Sequence, residues 1–258
     1  MRVTQLGDGR PEIAVVGAIH GDEPCGARAI ERILIEKPLL EKPVTFVVAN
    51  EKALDRGVRY VDADLNRAFE DGGDPRDHEY GLARRLAEVL AGCTVLSIHS
   101  TQSHPEPFGI INAEADAAAD IVRSLPIEAL VEVTENEGRP FAIEAAELME
   151  VEAGYQKSPR ASANAYRVTR AFLEATGALP GAREPREVPT FSLGDPIAKP
   201  AATRYEVFAE NFARVEAGEV FAAADEHELR ADTPFYPVLF SANGYRDIFG
   251  YTGQRADA

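Results

Sequence analysis

Two histidines and a glutamate stand at the ends of two apolar runs, and their residue types suit a metal site. The run Ile13–Ile19 is followed directly by His20, and Glu23 comes three residues later as a helical stretch begins. A second apolar run, Thr94–Ile98, is followed directly by His99. In open α/β sheets, sites collect at the carboxyl ends of strands, and imidazole nitrogens and carboxylate oxygens are good zinc ligands. The sequence therefore predicts one zinc ion per chain, bound by His20, Glu23 and His99 with one coordination position open.

Each part of this prediction has an ordinary structural alternative. A pair such as His20 and Glu23 is more often a surface turn with a helix-capping carboxylate. For His99 the alternative is a hydrogen-bonded core histidine. The remaining histidines are weaker ligand candidates, because they lie in charged or loop segments. These are His78, His104 and His227.

Two further carboxylates lie in the extended run Met149–Gly154. Glu150 and Glu152 are two residues apart, so both side chains would leave a strand on the same face. A carboxylate beside a zinc-activated water can remove a proton and later donate it to a leaving amine. Position alone does not decide which of the two does this, and a solvated strand carboxylate is the alternative for each.

Two arginines, Arg59 and Arg67, flank the strand-like segment Tyr60–Leu65. A guanidinium stays charged and presents a rigid fork, so it suits the oxyanion that develops during amide hydrolysis. The alternative is a pair of surface arginines that balance a very acidic chain. Asp64 is predicted to orient one of the arginines or a zinc-bound histidine, with a simple turn residue as the alternative.

Short apolar runs alternate with helical stretches and predict the scaffold that positions these side chains. The predicted strands are Ile13–Ile19, Val44–Ala49, Thr94–Ile98, Phe108–Ile111 and Leu130–Thr134. The predicted helices are Pro24–Glu36, Glu79–Ala91, Ala113–Ser124 and Arg160–Ala175. Most of the strands are apolar throughout, which suits a sheet covered on both faces. The pattern predicts an α/β fold with a mixed sheet flanked by helices.

The composition changes after the last predicted helix. The stretch Leu179–Pro189 is rich in proline and indicates a linker, and only short extended segments with turns follow it. We therefore predict a zinc-binding α/β catalytic domain over residues 1–180 and a small, mostly β C-terminal domain over residues 187–258.

Charge and targeting signals limit the function classes. The formal net charge is −16, which disfavours a nucleic-acid partner because a binding face would need a basic surplus. Only five of the 27 basic residues are lysines, and many carboxylates with few lysines are typical of a halophilic surface. Neither a signal peptide nor a membrane span is recognisable, and the cysteines Cys25 and Cys93 form no disulfide framework. We expect a cytoplasmic protein.

Four stretches carry a family resemblance, in the order His20–Glu23, Arg59–Arg67, Ile98–Thr101 and Val151–Gly154. With them the chain resembles the aspartoacylase and succinylglutamate desuccinylase family, which is related to the zinc carboxypeptidases. A weaker match runs from Tyr236 to Tyr245, so the resemblance covers nearly the whole chain. The block Asp-Leu-Asn-Arg at residues 64–67, with an arginine upstream, is the most specific part.

The resemblance implies a role for each matching residue. His20, Glu23 and His99 match the zinc ligands of the family, Glu152 matches its general base, and Arg59 matches the arginine that polarises the scissile carbonyl.

The same resemblance implies substrate contacts and one departure. Asn66 and Arg67 match residues that hold a substrate carboxylate, and Tyr245 matches a tyrosine that reaches the site from the C-terminal domain, which narrows the entrance. Aspartoacylase carries a further arginine before its catalytic glutamate. The corresponding segment Gly138–Glu150 holds only Arg139, at an offset that does not match. Specificity for N-acetylaspartate or N-succinylglutamate is therefore not carried over.

Together these observations predict a zinc-dependent hydrolase that cleaves the acyl bond of a small N-acyl amino acid, or a related amide or ester. Its expected partner is a small carboxylated substrate; no nucleic acid or membrane partner is expected, and a homo-oligomer stays open. One alternative is a zinc carboxypeptidase acting on peptide ends, which a cavity open to peptide-sized ligands would support. A second is a non-catalytic homologue that binds a carboxylated ligand.

Overall fold

The computed structural model describes residues 1–69, 74, 76–134 and 145–256, and all structural statements below refer to these. The strands are β1 (Arg2–Leu6), β2 (Ile13–Gly17), β3 (Val44–Val48), β4 (Thr94–Thr101), β5 (Phe108–Asn112), β6 (Ala129–Val133), β7 (Glu147–Tyr155), β8 (Thr190–Ala198), β9 (Tyr205–Val207), β10 (Val220–Ala224), β11 (His227–Arg230), β12 (Tyr236–Val238) and β13 (Ile248–Arg255). The helices are α1 (Cys25–Glu36), α2 (Glu51–Arg56), α3 (His78–Leu90), α4 (Asp116–Arg123) and α5 (Pro159–Ala175).

Ten of these strands form one mixed sheet in the order β1-β3-β2-β4-β7-β5-β6-β8-β13-β12. The central strands β3, β2, β4 and β7 run parallel, whereas β5 runs antiparallel to β7. A separate three-stranded antiparallel sheet, β11-β10-β9, lies in the C-terminal part. The predicted fold class, a mixed sheet flanked by helices with a small C-terminal β part, is confirmed.

Alternation along the central strands explains why both faces of the sheet are covered. In β2, Ile13 and Val15 pack in the cluster that includes residues of α1, α4 and α5, while Ala14 and Val16 pack in the cluster beneath α3. Because both faces of such a strand are buried, neither set of alternating side chains meets solvent. This explains why every residue of β2 is apolar.

The structure differs from the sequence-based elements in a few places. The strand β1 and the short helix α2 were not predicted, because a five-residue edge strand and a six-residue helix carry little periodic signal. The segment Tyr60–Leu65 was predicted to be strand-like, which was wrong: it is an irregular loop that leads into a 3₁₀ turn at Leu65–Arg67. No helix in the described part of the chain has the length and apolarity needed to cross a bilayer.

The main sheet continues past the predicted domain boundary. Residues 181–189 have no regular structure, but β8, which follows them, pairs in parallel with β6. The C-terminal strands therefore extend the main sheet, and the division into domains over 1–180 and 187–258 stays a prediction.

The turn between β2 and α1 is built around close backbone contacts. A Cβ at Gly21 would lie 2.1 Å from the carbonyl carbon of Ala53 in α2, so only glycine fits there. Ala18 has a φ of 56°, a left-handed conformation that costs a non-glycine residue free energy and often occurs at functional sites. This strained turn delivers His20 and Glu23 to the carboxyl edge of the sheet.

Candidate metal centre and active site

The three predicted ligands lie together in the structure. His20 Nδ1 is 2.9 Å from Glu23 Oε1, and His99 Nδ1 is 3.2 Å from Glu23 Oε2. One ligand atom from each residue can be chosen so that all three lie within 4.8 Å of one another, and all three side chains are buried. Two imidazoles and one carboxylate form a common donor set for a catalytic zinc.

The electrostatics of the cluster favour a cation at this point. Burial disfavours a charged His20, but the carboxylates of Glu23 and Asp64 outweigh burial and raise the pKa of His20 to about 9. Burial disfavours a charged Glu23 as well, yet the neighbouring His20 and His99 hold the pKa of Glu23 well below its usual range. The buried Nδ1 of His20 has no hydrogen-bond partner despite its short distance to Glu23. A divalent cation coordinated by these atoms would satisfy both the orphaned nitrogen and the carboxylate, so the residues fit zinc.

Asp64 contacts both a candidate zinc-binding histidine, His20, and an arginine, Arg59, the two kinds of partner that the sequence left open. Its Oδ1 lies 3.1 Å from His20 Nε2, and its Oδ2 accepts a hydrogen bond of 3.1 Å from Arg59 Nε. Arg59 also donates from Nη1 to Glu23 Oε1 at 3.2 Å. A carboxylate behind a metal-binding histidine fixes the ring orientation, so Asp64 couples the position of His20 to that of Arg59.

His99 is held by different neighbours. Its Nε2 is 2.9 Å from Ser97 Oγ and 3.8 Å from Glu150 Oε1. The first distance is a hydrogen bond and the second is too long to be one. Ser97 precedes His99 by two residues on β4, so period-two spacing along a strand could have revealed it.

The loop that carries Arg59 and Asp64 is anchored by Glu79, which sequence reasoning did not single out. Glu79 Oε1 accepts hydrogen bonds from Val61 N at 2.7 Å and Asn50 Nδ2 at 2.8 Å. Its Oε2 accepts from the backbone N–H groups of residues 62 and 63, each at 3.1 Å. Glu79 is fully buried. Burial alone would raise its pKa, but the four hydrogen bonds outweigh burial and lower the pKa.

Glu152 lies beside the candidate ligands. In the parallel pairing of β4 with β7, its Cα is opposite that of His99, while the Cα of Glu150 is opposite that of Ser97. Burial raises the pKa of Glu152 to about 7, and the negative Glu23 nearby adds to the effect. A carboxyl group with a pKa near neutral is suited to act as a general base and acid.

A cavity of about 370 Å³ joins these groups to the predicted substrate contacts. Its lining includes Asn66 and Arg67 from the 3₁₀ turn and Tyr245 from the C-terminal part. The Oδ1 atom of Asn66 is buried without a hydrogen-bond partner. All of the sequence-predicted site residues therefore lie around one cavity, although their individual roles stay predictions.

The weaker candidates lie elsewhere. His104 Nε2 pairs with Glu128 at 3.1 Å, His227 is exposed, and His78 starts α3. Among the described residues, only His20, Glu23 and His99 form a group of three histidine, cysteine or carboxylate side chains whose ligand atoms lie within 4.8 Å of one another. Arg139 lies outside the described residues, as does the rest of 135–144.

The fold and the site define a class of protein. A mixed α/β sheet brings a His-Glu-His cluster, the further carboxylate of Glu152 and two arginines to one cavity at the carboxyl ends of its strands, as in a metal-dependent hydrolase. The family model for the succinylglutamate desuccinylase/aspartoacylase catalytic domain matches residues 10–175. The chain belongs to this family, whose members are deacylases.

Individual relatives agree with this assignment. A probable aspartoacylase from Nostoc sp. is 37% identical over 107 residues, which is 36% of either chain. A succinylglutamate desuccinylase from Pseudomonas aeruginosa is 30% identical over 102 residues, which is 35% of this chain and 30% of the relative. The matched segment thus spans only about a third of the length of these curated relatives.

Solved structures extend the likeness in fold to nearly the whole chain. The product-bound ectoine utilization protein EutE (DoeB) from Ruegeria pomeroyi matches with a TM-score of 0.80 at 20% identity, over 97% of this chain and 87% of the other. Murine aminoacylase 3 matches with a TM-score of 0.73 at 19% identity, over 97% of both chains.

Proposed function

We propose that this chain is a zinc-dependent hydrolase that cleaves the acyl bond of a small N-acyl amino acid, or of a related amide or ester. The observation that carries the proposal is the convergence of His20, Glu23 and His99 with a half-buried carboxylate, Glu152, on the next strand. A site for binding alone would not require a further carboxylate opposite His99, beside the three candidate ligands.

The residues of the chain divide the work of hydrolysis. His20, Glu23 and His99 would hold a zinc ion, which when bound would supply a Lewis acid and lower the pKa of bound water toward about 7. Glu152 takes the proton from the attacking water and later gives it to the leaving amine. Arg59 is fixed by Glu23 and Asp64, so its charge is in place to stabilise the oxyanion without reorganisation.

Substrate binding falls to other residues that line the cavity. We assign Asn66 and Arg67 to a carboxylate of the substrate, because a guanidinium can bind a carboxylate through two parallel hydrogen bonds. Tyr245 lines the cavity from the C-terminal part, and we assign it to the entrance. The expected partner is accordingly a small carboxylated molecule.

The size of the cavity favours a small substrate over a peptide. About 370 Å³ lies at the low end of volumes for small-molecule sites, and C-terminal residues such as Leu239 and Ser241 help to enclose it. A second cavity of about 670 Å³ shares Gln102, Ser103 and Ser241 with the first. Because a peptide could extend from the first cavity into the second, the carboxypeptidase alternative is worth testing with peptides.

Turnover measurements test the proposal. Purified protein is treated with a chelator, reloaded with zinc, and assayed against N-acyl amino acids and against dipeptides and longer peptides. We expect chelation to abolish release of the free amino acid and zinc to restore it. Faster cleavage of peptide ends would support a carboxypeptidase. Binding without turnover, in wild type and Glu152→Gln alike, would support a non-catalytic binding protein.

A cytoplasmic location is part of the proposal. Cys25 and Cys93 are both free and buried, as expected of a protein that works in a reducing compartment.

A further inference from the structure

A second buried carboxylate, Glu150, lies on the floor of the catalytic cavity. It shares a strand face with Glu152, lines the cavity, and is only 5% exposed. Across β7 its Cα is opposite Ser97 on one side and Ile110 on the other. Paired positions in neighbouring strands point to the same face of a sheet, so Glu150 stands between Ser97 and Ile110 on this face, and Glu150 and Ile110 both line the cavity floor.

The floor lies between two apolar clusters. Leu148, two residues before Glu150, packs in the cluster beneath α3. Ile110 packs in a separate cluster with C-terminal residues such as Val238 and Leu239. The sheet face is therefore covered on either side of Glu150, and the cavity is the gap that remains between the two clusters.

The protein leaves Glu150 incompletely satisfied. Its buried Oε1 has no hydrogen-bond partner, and its one ion-pair contact is the 3.8 Å approach to His99 Nε2. That nitrogen is already within 2.9 Å of Ser97 Oγ. Among the described residues, no lysine or arginine forms an ion pair with Glu150. Buried acceptors are almost always hydrogen-bonded in native structures, so an orphaned carboxylate oxygen in a cavity indicates a donor on the ligand.

We infer that Glu150 is a specificity residue that binds a cationic group on the amine half of the substrate. The inference rests on the proposed function and names its substrate class as N-acyl derivatives of basic amino acids. The α-carboxylate would be bound by Arg67 and Asn66, and the scissile carbonyl would lie between the metal cluster and Arg59. The side chain of the amino acid then extends to the floor, where an ammonium or guanidinium group meets Glu150.

The charges around the cavity favour a cation over an acidic side chain. Besides Glu150, four other carboxylates line the cavity: Asp22, Glu23, Asp64 and Glu152. Arg59 is already bound to Glu23 and Asp64. Three arginines, Arg59, Arg67 and Arg246, also line the cavity, but the orphaned oxygen on the floor belongs to Glu150. An acidic side chain placed there would face that carboxylate directly, and the repulsion would be strong because the site is buried.

Three substrates of similar side-chain length separate charge from size. These are N-acetyl-ornithine, N-acetyl-glutamine and N-acetyl-glutamate, assayed at one salt concentration with zinc-loaded wild type, Glu150→Gln and the matched control Glu147→Gln. Glu147 lies on the same strand but outside the cavity lining. We expect wild type to give the highest kcat/KM with the ornithine derivative and the lowest with the glutamate derivative. Glu150→Gln should reduce the ornithine-to-glutamine ratio by about 10- to 100-fold, and Glu147→Gln should preserve it.

Binding of the free amino acids gives a readout that does not depend on turnover. Calorimetric Kd values for ornithine, glutamine and glutamate should follow the same order in wild type and lose it in Glu150→Gln. Glu150→Asp, which keeps the charge, should retain the preference for ornithine. If no acylated substrate is cleaved, the proposed function fails, while the binding order still decides the role of Glu150.

Three results would overturn the inference. The first is a wild-type preference for the glutamate or glutamine compounds. The second is an unchanged ornithine preference in Glu150→Gln. The third is a loss of bound zinc in Glu150→Gln with the substrate order preserved, which would show that Glu150 acts through His99 instead of on the substrate.

Discussion

Two buried carboxylates, Glu79 behind a loop of the candidate active site and Glu150 in its cavity, show how differently the protein treats the same functional group. Glu79 on α3 accepts four hydrogen bonds of 2.7 to 3.1 Å. Glu150 on β7 has a buried oxygen with no hydrogen-bond partner. A carboxylate whose acceptor capacity is filled by its own chain fixes structure, because every donor it binds would otherwise be buried and unsatisfied. A carboxylate left unfilled in a cavity remains available to a ligand.

The network around Glu79 explains why it matters for the site although it touches no candidate ligand. Glu79 holds the backbone of residues 61–63, and the same loop places Arg59 and Asp64. Gly21, next to His20, donates its N–H to the carbonyl of Arg59 at 3.0 Å, so the other side of the loop is held as well.

The largest expected effect concerns Glu152, which like Glu150 has a buried oxygen without a partner. Glu152→Gln removes the group that transfers protons, so kcat should fall by about 10²- to 10⁴-fold. Zinc content, measured by atomic absorption, should stay near one per chain because Glu152 is not a ligand. Loss of zinc in this variant would mean that its role is wrongly assigned.

Glu79→Gln and Glu150→Gln should differ in their effect on the free energy of unfolding. Glu79→Gln places an amide N–H₂ against backbone donors, so it should lower the free energy of unfolding by about 1–3 kcal/mol. Glu150→Gln breaks no hydrogen bond within the described chain and should therefore lower the free energy of unfolding less than Glu79→Gln does. Chemical denaturation at neutral pH measures both. Equal losses in the two variants would contradict the distinction between a filled and an unfilled carboxylate.

A pH series sharpens the assignment of Glu79. Its hydrogen bonds lower its pKa in the folded protein from the ordinary value of 4.5. The stabilisation is therefore complete above that value and is lost as the pH falls through the lowered pKa. Between about pH 5 and pH 3, wild type should lose stability more steeply than Glu79→Gln. Parallel slopes in the two proteins would show that Glu79 does not titrate as argued.

Salt should act on the surface carboxylates but not on these buried ones. With a net charge of −16, self-repulsion should weaken as the screening length falls from about 10 Å at 0.1 M to about 3 Å at 1 M. Thermal unfolding should therefore shift upward with salt by the same amount in wild type, Glu79→Gln and Glu150→Gln. Full stability of wild type in low salt would remove the halophilic interpretation of the composition.

The sequence predicts well what depends on local pattern. The buried strands that end at His20 and His99 are visible as apolar runs, and four helices are placed within three residues of their observed bounds. The general position of Glu152 also follows from strand periodicity. The family resemblance then supplies Arg59, Asn66, Arg67 and Tyr245, which the structure places around one cavity.

What the sequence does not predict depends on tertiary contacts. Nothing local marks Glu79, because its partners belong to α2 and the loop after it. The sequence did not decide whether Asp64 orients an arginine or a histidine. The structure shows contact with both, because the two carboxylate oxygens of Asp64 face different neighbours. The segment Tyr60–Leu65 has strand-like residues but no strand to pair with, so it forms a loop instead.

The most direct test of the central claim is the zinc content of purified protein after chelation, dialysis and reloading, measured for wild type, His99→Ala and Ser97→Ala. If His20, Glu23 and His99 form the site, each wild-type chain should bind one zinc ion tightly and His99→Ala should retain none. Ser97→Ala, which removes only the hydrogen bond behind the ring, should bind zinc about 10- to 100-fold more weakly. Full zinc retention by His99→Ala would contradict the three-ligand site.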